Sequence, residues 1–241
     1  MKYLLVVAML LNISFAVQLT PMSQKISTDK DRNVLFEVIN SSATLAASEF
    51  EALRITGHDE NGVEIREETE NLVVYPPQFI IKEKTSKKVR VSYRKKGFPK
   101  KQEVYRIIAR ELPIKVKEDK QSTKIKAGVK FIFTYEGLLY VGGDDTDAIL
   151  DVVKVNDSKA TLKAKVKNIG NMSSFVFVTT YNIVVRTNKG KVTLDKSYFE
   201  KFQGLRILPD ESFVFNILKI KKLKGTKVKS ITFEKKLLGK K

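Results

Sequence analysis

Residues 73–101 read VVYPPQFIIKEKTSKKVRVSYRKKGFPKK, and this stretch decides the fold class of the chain. It holds ten Lys or Arg residues and a single acid. Between positions 88 and 94, basic and polar residues alternate with Val89, Val91 and Tyr93. Because successive side chains of a strand point to opposite faces, this alternation predicts a strand with one buried apolar face and one basic face.

The basic face of this strand has more than one interpretation. It is either a solvated face whose lysines also protect a sheet edge, or a surface that meets a partner. Nucleic-acid binding needs aromatic rings exposed among the cations, whereas Phe79 and Tyr93 fall on the apolar side. The formal net charge of +18 attracts anions of every kind and does not choose among them.

The same period-2 alternation recurs along the chain and predicts an all-β protein. The Pro76-Pro77 pair cannot lie in a central strand and is expected to end one. A hairpin turn is expected at residues 59–62, before Val63. The predicted strands are 33–40, 50–56, 63–66, 72–75, 79–81, 89–93, 104–109, 131–135, 149–155, 161–167, 175–185, 191–194, 213–220 and 230–233.

The chain begins MKYLLVVAMLLNISFAVQ, which has the features of a signal peptide. One lysine precedes an apolar run that is too short to span a bilayer, and small residues lie before Val17. We expect cleavage after Ala16 and export as a soluble protein; a retained N-terminal anchor is the alternative. The chain has no cysteine, so its core must hold the fold without disulfides.

Composition argues against an enzyme. With no cysteine and one histidine, zinc sites and Cys- or His-based nucleophilic catalysis are not expected, and neither a metal nor a cofactor is predicted. We interpret His58, which lies among polar residues, as a solvated turn residue. The length of the exported chain suits two sandwich domains, and the best break lies near Gly142-Gly143. We therefore predict a signal peptide at 1–16 and domains at 17–141 and 142–241.

The landmarks between Asn71 and Ile114 resemble those of the periplasmic pilus (fimbrial) assembly chaperones of chaperone–usher systems. The matching residues are Pro76-Pro77, Arg90-Val91, Phe98-Pro99, Glu103, Tyr105 and Leu112-Pro113. Looser likenesses extend over residues 31–40, 135–141, 165–171 and 208–209. Pro76, Pro77, Glu103 and Pro113 have structural roles in this resemblance.

The resemblance implies two Ig-like β-sandwich domains in a boomerang arrangement and a chaperone that acts by donor-strand complementation. Such a chaperone lends a strand to a pilus subunit that lacks its last strand, and it delivers the subunit to an outer-membrane usher. The lending strand is expected within residues 121–131. Its subunit-binding face would consist of Gln121, Thr123, Ile125, Ala127 and Val129.

The resemblance also implies a cation that binds the C-terminal carboxylate of the subunit, and Lys130 fits that position. The basic residue that the family carries in its first strand aligns near Ser23 and Gln24, and neither is charged. Lys25 would serve only after a register slip that reverses its face. Arg90 is therefore a second candidate for the carboxylate, and its alternative role is an ion pair with Glu103.

A different class of function stays open from the sequence alone. The chain would then be an exported two-domain β-sandwich binding protein whose basic face holds an anionic envelope component. As a chaperone, its partners are pilus subunits and the usher, without nucleic acid and without a membrane-embedded segment. The resemblance leaves open whether the free chaperone self-associates.

Overall fold

The computed structural model describes residues 17–113, 132–143, 148–158, 161–175, 181–194, 205–218 and 223–235. Within these residues there are strands and turns and no helix, so the all-β prediction is confirmed. The strands are β1 Val17–Thr20, β2 Ser23–Ile26, β3 Asn33–Asn40, β4 Ala46–His58, β5 Glu64–Glu67, β6 Leu72–Tyr75, β7 Gln78–Ile81, β8 Ser86–Tyr93, β9 Glu103–Leu112, β10 Thr134–Val141, β11 Leu150–Asp157, β12 Thr161–Asn168, β13 Ser174–Phe175, β14 Tyr181–Thr187, β15 Gly190–Leu194, β16 Arg206–Ile207, β17 Ser212–Leu218 and β18 Val228–Lys235.

Strand β8 has the two faces that its alternation predicts. Val89 and Val91 are fully buried and Tyr93 is almost so, whereas Lys88 and Arg90 are exposed. β8 pairs with β3 along its length, whereas β6 pairs only with its later residues, from Arg90 to Tyr93. Among the described strands, Lys87 and Lys88 therefore have β3 as their one neighbour, and they lie on an exposed face at a sheet edge. Whether this face also meets a partner stays a prediction.

The first ten strands form two sheets, and prolines mark the places where the chain passes from one to the other. One sheet has the order β1-β3-β8-β6, and the other has the order β2-β10-β9-β4-β5, with β7 also paired to β4. Pro21 separates β1 from β2, and Pro76-Pro77 separates β6 from β7. Because proline donates no ladder hydrogen bond, these residues end one pairing before the next begins. Pro113 likewise follows the last residue of β9 directly.

The two sheets bury a shared apolar core. The rings of Phe36 on β3 and Phe50 on β4 lie 5.9 Å apart between their centroids. Tyr105 and Ile107 from β9 and Leu139 from β10 are fully buried in the same core. Complete burial of such side chains stabilises the fold by about 1.5–3 kcal/mol each.

A buried asparagine ends a strand in each half of the chain. Asn40 at the end of β3 donates its side-chain amide to the carbonyls of Thr44, Ile81 and Lys82 at 2.8–3.2 Å. Asn168 at the end of β12 has the same role, and its contacts are described below. This repeated feature shows a structural correspondence between the halves that sequence comparison of the halves does not reveal.

The later strands form smaller sheets around a second core. Their orders are β11-β12-β17, β13-β16 and β15-β14-β18. The core consists of Leu150, Leu162, Ala164, Val166, Tyr181, Ile183, Val185, Leu194, Leu205, Ile207, Phe213, Phe215, Leu223 and Ile231. Aromatic contacts contribute to it, since the rings of Phe213 and Phe215 meet edge to face at 5.2 Å.

The described residues separate into two compact units that are not continuous in sequence. The first unit contains residues 17–53, 68–97, 105–113 and 132–140. The second unit contains the described residues from 141 onward together with two earlier segments, 54–67 and 98–104.

The first of these earlier segments is the β4–β5 hairpin. Its turn forms where the sequence predicts it: Gly62 has a φ of +84°, and the Asp59 N–H donates to the Val63 carbonyl at 2.9 Å. An added Cβ at Gly62 would lie 3.5 Å from Leu205 and 4.0 Å from Phe213, so the hairpin packs on the second core.

Candidate functional site

The predicted donor strand and its carboxylate anchor lie outside the described residues. These are Gln121, Thr123, Ile125, Ala127, Val129 and Lys130. The chain is next described at residue 132, just before β10. The predictions for this segment therefore stay predictions.

Strand β10 is held in the interior of that sheet. It lies between β2 and β9, and its alternate residues Leu139 and Val141 are fully buried. The Leu138 N–H donates to the Met22 carbonyl at 2.9 Å. An added Cβ at Gly137 would lie 3.0 Å from the same carbonyl oxygen, which fits glycine at this close approach. β10 thus fixes the chain firmly at the end of the predicted donor segment.

Ion pairs occupy the outer face of β9 beside this strand. The inner face of β9 carries the fully buried Tyr105, Ile107 and Ala109. Arg106 and Arg110 point the other way: Arg106 Nε lies 3.6 Å from Glu136 Oε2, and Arg110 lies 3.2 Å from Glu49 Oε2 and 3.0 Å from Glu51 Oε1. Exposed pairs of this kind contribute only about 0–1 kcal/mol each. Their effect is to fix the position of charges on the face beside β10.

Sequence reasoning missed this charged face. A signal for it exists, because Arg106 and Arg110 are four residues apart in a strand and must share a face. Glu49 and Glu51 are two residues apart on β4 and share a face for the same reason. The alternation alone does not show that the arginines of β9 and the glutamates of β4 lie on the same face of the sheet.

A buried carboxylate lies on the inner face at the far end of β9. Glu111 is 5% exposed, and its Oε2 makes no hydrogen bond to any described residue. Its main-chain N–H donates to the Phe133 carbonyl at 2.9 Å. Burial, and then the charge of Glu111, raise the pKa of Tyr135 above its usual value.

The position where the family resemblance expects a cation, near Ser23 and Gln24, lies on β2 and carries no charge. Ser23 is exposed and uncharged, and Gln24 donates its side-chain amide to the Leu35 carbonyl at 3.1 Å. Ile26 is 1% exposed, so Lys25 lies on the outer face of β2, where it is exposed.

Arg90 lies on the outer face of the other sheet. Its cross-strand neighbours are Leu35 on β3 and Tyr75 on β6, which are 51% and 65% exposed. These three residues, together with Pro76 and Lys88, border a depression of about 410 Å³. β10 belongs to the sheet packed against the opposite side, so Arg90 and β10 lie on separate sheets of this unit.

The alternative ion pair between Arg90 and Glu103 is not formed. Glu103, which is 8% exposed, lies 3.7 Å from Arg54 in the second unit. The structural role of Glu103 stays a prediction. Whether Arg90 binds a carboxylate stays a prediction.

His58 is not a solvated turn residue, and that interpretation is wrong. Its side chain is 2% exposed, and Nδ1 lies 2.9 Å from Glu211 Oε1. Glu211 Oε2 in turn accepts the Leu208 N–H at 2.7 Å. The polar neighbours in the sequence suggested exposure, but the hairpin that carries His58 packs on the second core.

The second unit also holds a cavity of about 520 Å³ whose charges are largely compensated. It is bordered by the Arg54–Glu103 pair and by Lys101 with Asp210, whose Nζ and Oδ2 atoms lie 2.5 Å apart. The hydrogen bond from Lys101 holds the pKa of Asp210 below its usual value. Among the described residues, no group of three or more His, Cys, Asp or Glu side chains is placed to hold a metal ion.

Comparison with protein families gives a match over residues 16–136. The matching family is described as pili and flagellar-assembly chaperones, PapD N-terminal domain. The chain belongs to this family of pilus-assembly chaperones. The resemblance stated from the sequence is thereby confirmed. A comparison with curated protein sequences finds no match.

Solved structures of fimbrial chaperones have the same fold. The class 5 fimbriae chaperone CfaA has a TM-score of 0.55 at 20% identity, covering 90% of this chain and 98% of that one. The CsuC–CsuE chaperone–tip subunit complex of Acinetobacter baumannii has a TM-score of 0.57 at 15% identity, covering 85% of this chain and 88% of that one. The Salmonella enterica SafA pilin complex with the SafB chaperone has a TM-score of 0.51 at 13% identity, with 85% of each chain covered. The prediction of two β-sandwich domains is confirmed.

The family consists of periplasmic chaperones and not of enzymes. Of the residues that the structure describes, none belongs to a helix that could cross a lipid bilayer.

Proposed function

We propose that this pilus-assembly chaperone binds incomplete Ig-like pilus subunits by donor-strand complementation and delivers them to an outer-membrane usher. It has no catalytic site in this proposal, and it works in the periplasm after cleavage behind Ala16. The lent strand lies within residues 121–131. Main-chain hydrogen bonds to the open edge of the subunit supply affinity, and alternate side chains fill its groove.

The position of β10 is the observation that carries this proposal. β10 follows the predicted donor segment in the sequence and pairs with β2 and β9. Anchoring one end of a strand favours its pairing with another protein, because less entropy is then lost when the strand is ordered. The buried Leu139 and Val141 supply that anchor.

Replacing Ile125 with alanine tests the donor segment. Ile125 is the large branched apolar residue nearest the middle of the predicted binding face, and burying such a side chain is worth about 1.5–3 kcal/mol. We expect the affinity for a subunit to fall between about 10-fold and 100-fold. The chaperone is co-expressed with subunits from the same genome, purified as a complex, and the dissociation constant is measured with the purified proteins.

The matched control is Ile149→Ala, since Ile149 is 52% exposed in the second unit. This variant should bind the subunit like the unmodified chaperone. Failure of the unmodified chaperone to form a stoichiometric complex would refute the proposal. Equal affinities of the Ile125→Ala variant and the unmodified protein would exclude this segment as the donor strand.

The carboxylate anchor is tested separately with Lys130→Ala and Arg90→Ala. A charge-assisted hydrogen bond contributes about 1.5–3 kcal/mol, so loss of the anchor should weaken subunit binding by about 10-fold to 100-fold. We expect this loss for Lys130→Ala, because Arg90 lies on the sheet that does not contain β10. Lys165→Ala, which removes an exposed cation from β12 in the second unit, is the control. Weaker binding by the Arg90 variant together with normal binding by the Lys130 variant would assign the carboxylate to Arg90 instead.

A further inference from the structure

A cluster of cations at one end of the second unit is not used by the proposed chaperone function. We propose that this cluster binds the phosphate headgroups of an anionic phospholipid membrane. We call it the basic end; its residues are Arg186, Lys189, Lys191, Lys224, Lys227 and Lys229. All six are exposed.

Main-chain hydrogen bonds hold two parts of the basic end together. The Asn188 N–H donates to the Lys227 carbonyl at 3.0 Å, and the Lys227 N–H donates to Asn188 Oδ1 at 2.9 Å. Thr187 closes the adjacent turn, since its Oγ1 accepts from the Lys189 N–H at 3.1 Å. Lys189 and Lys227 therefore extend from a backbone whose geometry is fixed.

The turn that carries Lys224 is anchored in the core. Leu223 is fully buried, and its carbonyl accepts the Thr226 hydroxyl at 2.9 Å. Gly225 adopts a φ of +68° in this turn. The cations of the basic end thus lie on strands and on turns whose main chain is held by hydrogen bonds.

Two described carboxylates lie at the basic end: Glu234, and Asp157, whose Oδ2 accepts the N–H of Val228 at 2.9 Å, between Lys227 and Lys229 in the chain. Lys191 lies 3.6 Å from Glu234, and the other five cations form no ion pair with a described residue. Arg186 lies opposite Lys191 in the β14–β15 register. Like charges that face each other across strands destabilise a sheet, so this arrangement is not explained by stability.

The composition of the basic end favours a membrane over a protein partner. Protein interfaces have apolar, often aromatic centres and are depleted in lysine. None of the described large apolar side chains in residues 186–194 or 223–229 is strongly exposed. A surface of lysine and arginine without an apolar centre suits anionic headgroups, which attract basic segments through charge alone.

The proposal is tested by sedimentation of the full chain with lipid vesicles. We expect binding to vesicles of phosphatidylcholine mixed with phosphatidylglycerol and none to pure phosphatidylcholine. Binding should decrease as sodium chloride is added, because salt screens exposed charges. The triple variant Lys189→Gln, Lys227→Gln, Lys229→Gln should bind more weakly by about fivefold per lysine and on the order of 100-fold in all.

The matched control removes the same charge elsewhere in the second unit. Lys154, Lys163 and Lys165 are exposed on β11 and β12, and their triple Lys→Gln variant should bind vesicles like the unmodified chain. The triple variant Lys189→Arg, Lys227→Arg, Lys229→Arg should preserve vesicle binding. This result would separate the effect of lost charge from the effect of misfolding. Subunit binding should be unchanged in all of these variants.

Several results would overturn the proposal. The first is that the unmodified chain does not bind phosphatidylglycerol vesicles. The second is that the two glutamine variants lose equal vesicle affinity, because equal losses would show a response to net charge alone. Displacement by inorganic phosphate at constant ionic strength would assign the site to the free ion. Tighter binding to polyglutamate than to the vesicles would point to an acidic protein instead.

Discussion

Replacing Gly142 with alanine is expected to lower the free energy of unfolding by about 4 kcal/mol. Gly142 has a φ of +74°, which costs an L-residue about 1–2 kcal/mol. An added Cβ would also lie 2.3 Å from the Pro99 carbonyl oxygen and 2.6 Å from Pro99 Cγ. Because the carbonyl belongs to the backbone, the clash requires a main-chain shift, which costs about 1–3 kcal/mol more.

Gly225→Ala separates these two contributions. Gly225 has nearly the same backbone angle, a φ of +68°, but no atom of a described residue lies within 4 Å of its added Cβ. It should therefore lose only the conformational part, about 1–2 kcal/mol. Denaturant titrations of both variants, monitored by circular dichroism, measure the difference. Equal losses in the two variants would contradict the close approach of Pro99.

Asn168→Ala is expected to destabilise the protein by a similar amount, about 4 kcal/mol. Asn168 is fully buried, and its amide donates to the carbonyls of Met172 at 2.7 Å and Ile207 at 3.1 Å. Its Oδ1 accepts from the main-chain N–H groups of Gly170 at 3.0 Å and Ile149 at 3.3 Å. Alanine leaves these four groups without their partner, and each unsatisfied buried group costs about 1–3 kcal/mol.

Two further variants sharpen the test on Asn168. Asn216→Ala removes an exposed asparagine from β17 and should change the free energy of unfolding very little. Asn168→Asp keeps the acceptor but turns a carboxylate oxygen toward the Met172 and Ile207 carbonyls, so it should be no more stable than Asn168→Ala. An aspartate variant close to the original stability would mean that the two donated bonds contribute little.

The strands could be predicted because their signal is local. The alternation at Val89, Val91 and Tyr93 fixes which face is buried without knowledge of the neighbouring strands, and the structure buries all three. The Pro76-Pro77 pair ends a strand because proline has no N–H to donate, a property that needs no context. The run at 131–135 was less informative, since its described part belongs to a strand that continues to Val141.

The contacts of His58 could not be predicted, because they join distant parts of the chain. Nothing in the polar residues around His58 indicates that Glu211 lies 2.9 Å away. The ion pairs of the candidate site could not be predicted for the same reason. The sequence places Arg106 and Arg110 on one face of a strand, but their pairing with Glu136, Glu49 and Glu51 depends on the arrangement of three strands.

The second unit is built from separate parts of the chain, and this has a consequence for folding. Residues 54–67 and 98–104 precede the described residues after 140 in the chain, yet they pack with them. Gln102 illustrates this, since its side-chain oxygen accepts from the Ser173 N–H at 3.1 Å. Contacts between such distant positions slow folding, because the intervening loop must close first. The second unit therefore cannot complete its packing before the residues after 140 are present, so this chaperone passes through an incomplete stage of its own.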